Sequence, residues 1–310
     1  MTPWAPPTAT PSPWTIKTLL DWSAGFFAQK KIADARLDAE LLLAHLLGMG
    51  RIDLYLQFNR PLNPEELAVF RELVRERARH VPTAYLLREA AFWDLTLAVG
   101  PGVLIPRRET EFLVEAVLQA IAELRTAPEA ASERLSVLEL GTGSGAVPLA
   151  VCGEVNLLTW TACDRAPEAL AYARENRRRH SGLLEPRGNA LHLWLGGRFA
   201  AVAPSFRPHL IVSNPPYVPD GEFAALQPEI SENEPPLALR GGPDGLEFHR
   251  YLLDEAERRL APGGRLLLEI GADQAGPLRA LLVGYPALRE VELRADHAGR
   301  DRVWQVENSS

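Results

Sequence analysis

From Ser136 to the C-terminus, short apolar runs alternate with helical segments, and glycines make the first hand-over: Glu139-Leu140-Gly141-Thr142-Gly143-Ser144-Gly145. That alternation is the mark of strands joined by crossover helices. Strands are expected at 137–140, 158–163, 210–213, 265–270, 288–293 and 303–306, with helices near 146–151, 166–178, 246–260 and 274–283. Leu210-Ile211-Val212-Ser213 lacks the polar alternation of a half-exposed strand, as expected where both faces of a parallel sheet are covered. The pattern predicts an α/β domain, an open sheet with helices on both faces.

The stretch ahead of this domain is patterned differently. Over 14–81, apolar residues recur at helical spacing, and Gly48 offers a stop. Asn63-Pro64-Glu65-Glu66 supplies an asparagine cap, a proline for the first helical position and acids for the first turn. About four helices and no strand follow from this pattern. Extended runs then appear at Ala91-Phe92-Trp93, at 95–99 and at Val103-Leu104-Ile105, with Gly100-Pro101-Gly102 as a turn. A helix is expected over 110–124. The organisation predicted is a disordered tail 1–13, a smaller all-helical domain 14–81, a β-hairpin linker 82–108 and the α/β domain 109–310. The tail holds five prolines and no apolar stretch, so it is not expected to be an export signal.

Composition narrows the function classes. At 46% hydrophobic residues, 310 residues can bury a substantial core. The densest apolar run, 41–47, is far short of the ~20 residues that span a bilayer, so no membrane association is expected. The net charge is −7, and 30 of the 33 basic residues are arginines scattered along the chain. That balance argues against general nucleic-acid binding, which depends on neutralising phosphates. Cys152 and Cys163 belong to no metal-ligand pattern, and the histidines show no metal spacing. A reduced, cytoplasmic protein with no metal site is expected.

The glycine loop sits where a strand hands over to a helix. Its free N–H groups and the positive end of the helix dipole suit an anionic group. The spacing is Gly-x-Gly-x-Gly, so the dinucleotide fingerprint is not met, and no Gly-Lys-Ser/Thr ending marks a triphosphate loop. Asp164 follows 23 residues after Gly141, at the end of the next strand. A carboxylate there can accept from ribose hydroxyls, or simply cap the following helix. A nucleoside without a pyrophosphate is implied, and S-adenosylmethionine fits, with its amino-acid part at the glycines and its ribose at Asp164.

Asn214-Pro215-Pro216-Tyr217 follows the strand ending at Ser213. Two prolines fix φ and remove two successive donors, and Asn214 is pushed to an extended conformation. The loop therefore offers acceptors, the Asn214 side-chain oxygen and the Pro215 carbonyl, with Tyr217 as a flat face. That set suits a planar –NH₂ group. Such a nitrogen is a poor nucleophile because its lone pair is delocalised. Positioning and stabilisation of the growing charge are the available levers.

With these motifs, the chain resembles the protein-(glutamine-N5) methyltransferases that modify peptide chain release factors, the HemK/PrmC family. The resemblance runs through residues 100–111, 139–145, 212–219, 234–246, 266–271 and 298–302. It implies a helical N-terminal domain, a β-hairpin and a Rossmann-like S-adenosylmethionine-dependent methyltransferase domain. It implies methylation of the glutamine amide in a Gly-Gly-Gln motif of release factors. By motif match, Asn214 and Pro215 would hold the amide, with Pro216 and Tyr217 beside it. Glu139, Gly141, Thr142, Gly143, Ser144, Gly145, Asp164 and Asn214 would contact the cofactor, with Asn189 near its adenine. Arg108 stands where the family usually has proline, Arg88 where glycine is common, and Asn189 where aspartate is frequent.

Rival readings share the loop chemistry. An adenine-N6 methyltransferase also holds a planar conjugated amine, but the acidic charge and the lack of a basic recognition segment count against it. A glutamine methyltransferase of a ribosomal protein would use the same site. A non-catalytic nucleoside-binding module would have no need of an intact Asn-Pro-Pro-Tyr loop.

Overall fold

The computed structural model describes residues 14–126, 133–197, 199 and 202–310. The expected tail 1–13 lies outside the described residues. The chain divides into two compact units: residues 1–88 with 228–233, and the remainder.

The first unit is helical: α1 Ile16–Gln29, α2 Ala35–Leu47, α3 Arg51–Leu56, α4 Pro64–Arg77 and α5 Thr83–Leu87. Asn63 caps α4 as expected, its Oδ1 accepting from the Glu66 N–H at 2.8 Å while Glu66 accepts from the Asn63 N–H at 2.9 Å. Gly48 ends α2 at φ +62°. The apolar faces meet in a core that includes Ile16, Leu20, Phe27, Leu42, Leu54, Phe70 and Val74. Two features were not expected. The start of the anticipated linker is the helix α5, not a strand. Residues 228–233, distant in sequence, also belong here. Arg77 explains that attachment. It is 5% exposed and donates to Asp38 at 2.7 Å and to Glu229 at 2.9 Å. Asn233 donates to the His80 carbonyl. A buried guanidinium needs such partners, because an unpaired charge in the interior is strongly unfavourable.

The second unit opens with the hairpin β1 Glu89–Phe92 and β2 Leu95–Ala98, paired antiparallel. The third extended run, at 103–105, makes no strand. There follow α6 Glu111–Leu124, β3 Leu135–Leu140, α7 Ala146–Glu154, β4 Leu158–Asp164, α8 Pro167–Arg179, β5 Ala190–Leu195 and β6 Leu210–Ser213. Helix Glu247–Arg259, β7 Arg265–Glu269, helix Ala275–Leu282, β8 Leu288–Ala295 and β9 Asp301–Asn308 complete it. The seven strands lie in the order β5-β4-β3-β6-β7-β9-β8. Strands β3 to β7 are parallel, and β9 runs antiparallel to both neighbours. Alternate residues bury on opposite faces: Val137, Val212 and Leu267 in one core cluster, Leu138, Ile211 and Leu266 in the other. This is why the central strands read as unbroken apolar runs.

Strand β5 was not expected from the sequence. It is an edge strand, with Leu191 buried and His192, Trp194 and Leu195 exposed, so its apolar signal is weak. Strand order reverses between β3 and β6, which opens a crevice at the carboxyl ends of these strands.

Candidate active site

A crevice of about 690 Å³ occupies that switch point, with the glycine loop, Asp164, Asn214, Pro215 and Pro216 in its wall. The loop takes its form from three left-handed residues, Gly141 at φ +75°, Gly143 at +56° and Gly145 at +80°. Side chains with a Cβ rarely adopt these angles. The N–H groups of Gly141 and Thr142 both donate to the Cys163 carbonyl, at 2.9 and 3.1 Å. The loop is thus strapped to the end of β4.

Asp164 completes the strap. Its two oxygens accept from the N–H groups of Gly143 and Ala166, each at 2.9 Å. The Arg165 N–H is a third backbone donor, and since a carboxylate offers about four acceptor positions the capping role and a ligand role are compatible. Burial holds the Asp164 carboxyl above its ordinary range, against the pull of those N–H groups.

Glu139 is 2% exposed and lies deeper, accepting from the Thr142 hydroxyl at 2.7 Å and the Trp160 indole at 3.2 Å. Burial pushes its carboxyl from 4.5 up to about 8. The folded state therefore prefers the acid, while the unfolded chain ionises above about 4.5. This contribution to stability is full below that value and is lost as pH rises toward 8. Glu139→Gln is expected to melt increasingly above the wild type as pH rises from about 5 to about 8. A constant difference in melting temperature over that range would refute the assignment.

Asn214 leaves β6 beside the loop. Ser213 Oγ donates to the Leu140 carbonyl at 2.7 Å and ties the ends of β6 and β3 together. Asn214 Nδ2 donates to Thr110 Oγ1 at 3.1 Å, which leaves Oδ1 as the available acceptor. Behind the prolines, the Gly-Gly-Pro-Asp-Gly segment packs backbone to backbone. A Cβ on Gly241 would lie 2.7 Å from the Pro216 carbonyl oxygen, and one on Gly245 would lie 2.4 Å from that of Tyr217. Only glycine permits that approach.

Several wall residues were missed by sequence reasoning. Arg107 lines the crevice and donates to Glu234, whose side chain is 1% exposed and also accepts from the Ile105 N–H at 3.1 Å. The extended run Val103-Leu104-Ile105 supplies Val103 and Leu104 to the wall. Thr110 and the buried Glu269 stand behind Asn214. Buried acids cannot be read from a sequence without knowing which positions are interior.

Chains of this kind have characterised relatives. Residues 18–87 match the PrmC N-terminal domain. The release factor glutamine methyltransferase of Geobacter sulfurreducens is 42% identical over 86% of this chain and 88% of that protein. The chain belongs to the release factor glutamine methyltransferases. The Rhodopirellula baltica member of the family is 36% identical over 97% of this chain and 99% of its own length. The hMettl16 catalytic domain shares the fold, with a TM-score of 0.50, 15% identity and coverage of 70% of this chain and 76% of that one.

Two expected positions need correction within this methyltransferase. Asn189 is not in the crevice. It precedes β5, and the register sets Ala190 opposite Thr159 and Leu195 opposite Asp164. Asn189 is therefore level with the start of β4, at the far end of the sheet. Its Nδ2 donates to the Cys152 and Val155 carbonyls and its Oδ1 accepts from the Leu158 N–H, which makes it a structural staple. The residues level with Asp164 that do line the crevice are Gly196 and Gly197. Tyr217 is likewise outside the described wall. Its carbonyl accepts from Gln274, and burial beside Glu269 raises its phenol. Cys152 and Cys163 are buried thiols, pushed up by burial to about 12 and about 11.

The crevice fits S-adenosylmethionine by the chemistry of its donors. Left-handed glycines expose backbone near the N-terminus of α7, and a carboxylate with spare lone pairs stands at the end of β4. The Asp164 carboxylate favours a cationic ligand, while Glu139, kept in its acid form by burial, adds no charge.

Proposed function

We propose that this protein transfers a methyl group to the side-chain nitrogen (N5) of the glutamine in the Gly-Gly-Gln motif of peptide chain release factors. Family membership supports the reading, and the orientation of Asn214 carries it: Nδ2 is held by Thr110, so an acceptor is offered beside the glycine loop. The methyl donor is S-adenosylmethionine, which when bound supplies an electrophilic methyl group on a sulfonium. Gly141 to Gly145 and Asp164 would hold it. Asn214 Oδ1 and the Pro215 carbonyl would accept the two hydrogens of the glutamine amide. This aims the amide plane and stabilises the positive charge that grows on nitrogen. No side chain is required as a covalent nucleophile.

The net charge of −7 supports a protein substrate over a nucleic acid. No helix among the described residues is long and apolar enough to cross a membrane. A cytoplasmic site of action is part of the same reading. The decisive experiment is incubation with labelled S-adenosylmethionine and purified release factor, ribosomal proteins or DNA, with mass mapping of the label. Label on the Gly-Gly-Gln glutamine is the expected result. Label confined to a ribosomal protein or to adenine would overturn it.

Glutamines are abundant, so an amide-binding loop alone cannot select one. We assign that selection to the helical unit. Deleting it at Pro82 would strip Glu229 of Arg77, so point changes are the cleaner test. Ile52 and Leu56 on α3 are 76% and 77% exposed. Changing both to aspartate is expected to raise KM for intact release factor about tenfold, with little effect on a short Gly-Gly-Gln peptide. Equal effects on both substrates would remove the docking role.

A further inference from the structure

Behind Asn214 lies a polar chain that the reaction so far does not use. Asn214 Nδ2 donates to Thr110 Oγ1, and the Thr110 hydroxyl is hydrogen-bonded to Glu269. Thr110 is 5% exposed and Glu269 is 2% exposed. The second oxygen of Glu269, Oε2, is buried with no hydrogen-bond partner. Thr110 and Glu269 come from the turn before α6 and from the end of β7, so two distant segments converge on one amide.

Donor logic gives this chain a direction. An ionised Glu269 can only accept, so the Thr110 hydroxyl must donate to it. The Thr110 oxygen then accepts, and only Nδ2 of Asn214 can donate. Oδ1 is left facing away from Thr110, available to substrate. A protonated Glu269 can instead donate to Thr110. Thr110 is then free to donate to Oδ1, and the Asn214 amide turns to offer its –NH₂. Two –NH₂ groups cannot hydrogen-bond productively, so the reversed amide would reject glutamine.

We propose that Thr110 and Glu269 are positioning residues that set which end of the Asn214 amide meets the substrate, and that a proton on Glu269 reverses it. The consequence for turnover rests on the functional reading above, whereas the chain itself does not. Burial pushes Glu269 up to about 7, so the reversal falls within the working range. The charged and titratable groups around it act in both directions. Glu109 raises it, Arg302 on β9 and Arg107 lower it, and Tyr217 lies within Coulombic reach. His249, beside the Glu269 backbone, is held neutral by burial, its pKa pushed down to about 4.

The test uses full-length protein and two readouts. First, with asparagine side chains labelled with ¹⁵N and Asn214 assigned from the peak missing in Asn214→Asp, the Asn214 –NH₂ resonance should titrate with a midpoint near pH 7. It should be pH-independent in Glu269→Gln. Second, kcat on release factor should rise as pH passes from about 6 to about 8, and this inflection should vanish in Glu269→Gln. Thr110→Val should lower kcat about tenfold or more at unchanged cofactor affinity, and Thr110→Ser should restore most of it. Unchanged cofactor affinity by calorimetry shows that each variant is folded. A pH-independent Asn214 resonance, an inflection that persists in Glu269→Gln, or full kcat in Thr110→Val would overturn the proposal. A titrating resonance lost in Glu269→Gln, in a protein that leaves release factor unmodified, would uphold the chain and sink the functional reading instead.

Discussion

Asn214→Ala is expected to lower kcat on release factor about 10²–10³-fold while cofactor affinity stays within about a factor of two. The side chain sits at the end of β6, with Nδ2 engaged by Thr110 at 3.1 Å and Oδ1 available to the amide. Alanine removes the acceptor that aims the amide plane and faces the charge developing on nitrogen. The backbone is expected to hold, because Pro215 and Pro216 fix φ and Gly241 and Gly245 pack against the loop from behind. Loss of an interaction made mainly in the transition state appears in kcat rather than in KM. Single-turnover kinetics with calorimetry of cofactor binding checks this. Near-normal kcat would remove Asn214 from the chemistry.

Asp164→Ala is expected to act on the cofactor first, weakening its binding about 10²-fold with a smaller change in kcat. Hydrogen bonds to a charged acceptor contribute about 1.5–3 kcal/mol each, and ribose offers two hydroxyls. The same change also leaves the Gly143 and Ala166 N–H groups without their acceptor. Both positions are partly exposed, so water can replace part of the loss, and a destabilisation of about 1–2 kcal/mol is expected. Asp164→Asn retains an acceptor oxygen and should lie between the two. Calorimetry and thermal melting separate the contributions. A variant that melts lower but binds cofactor like the wild type would reduce Asp164 to a strap for the glycine loop.

The parts of this site that were legible in the sequence are those whose conformation is local. Glycines at 141, 143 and 145 and prolines at 215 and 216 restrict or release their own backbone torsions, so their identity already implies the shape of the loop. The central strands were legible because burial on both faces leaves an apolar run. The asparagine cap of α4 is likewise a matter of four consecutive residues.

Asn189 shows where that reasoning fails. With β5 unrecognised, nothing in the sequence told which end of the sheet the residue occupied. The register then set it level with Leu158, a full strand length from Asp164. The run 103–105, taken for an extended strand, makes none, and its Val103 and Leu104 line the crevice with Pro106 and Arg107.

By itself, then, the sequence determined the α/β sheet, its helical companion, the glycine loop and the Asn-Pro-Pro-Tyr loop, because each follows from backbone chemistry or periodicity within a few residues. Tertiary structure alone decided that Thr110 holds Asn214 across 104 residues, that Glu234 holds Arg107 across 127, and that Glu269 stands behind Thr110. Partners of that kind are selected by burial. A hydroxyl or carboxylate removed from water must find a donor or acceptor wherever the packed chain supplies one, and spacing along the sequence carries no record of which it will be.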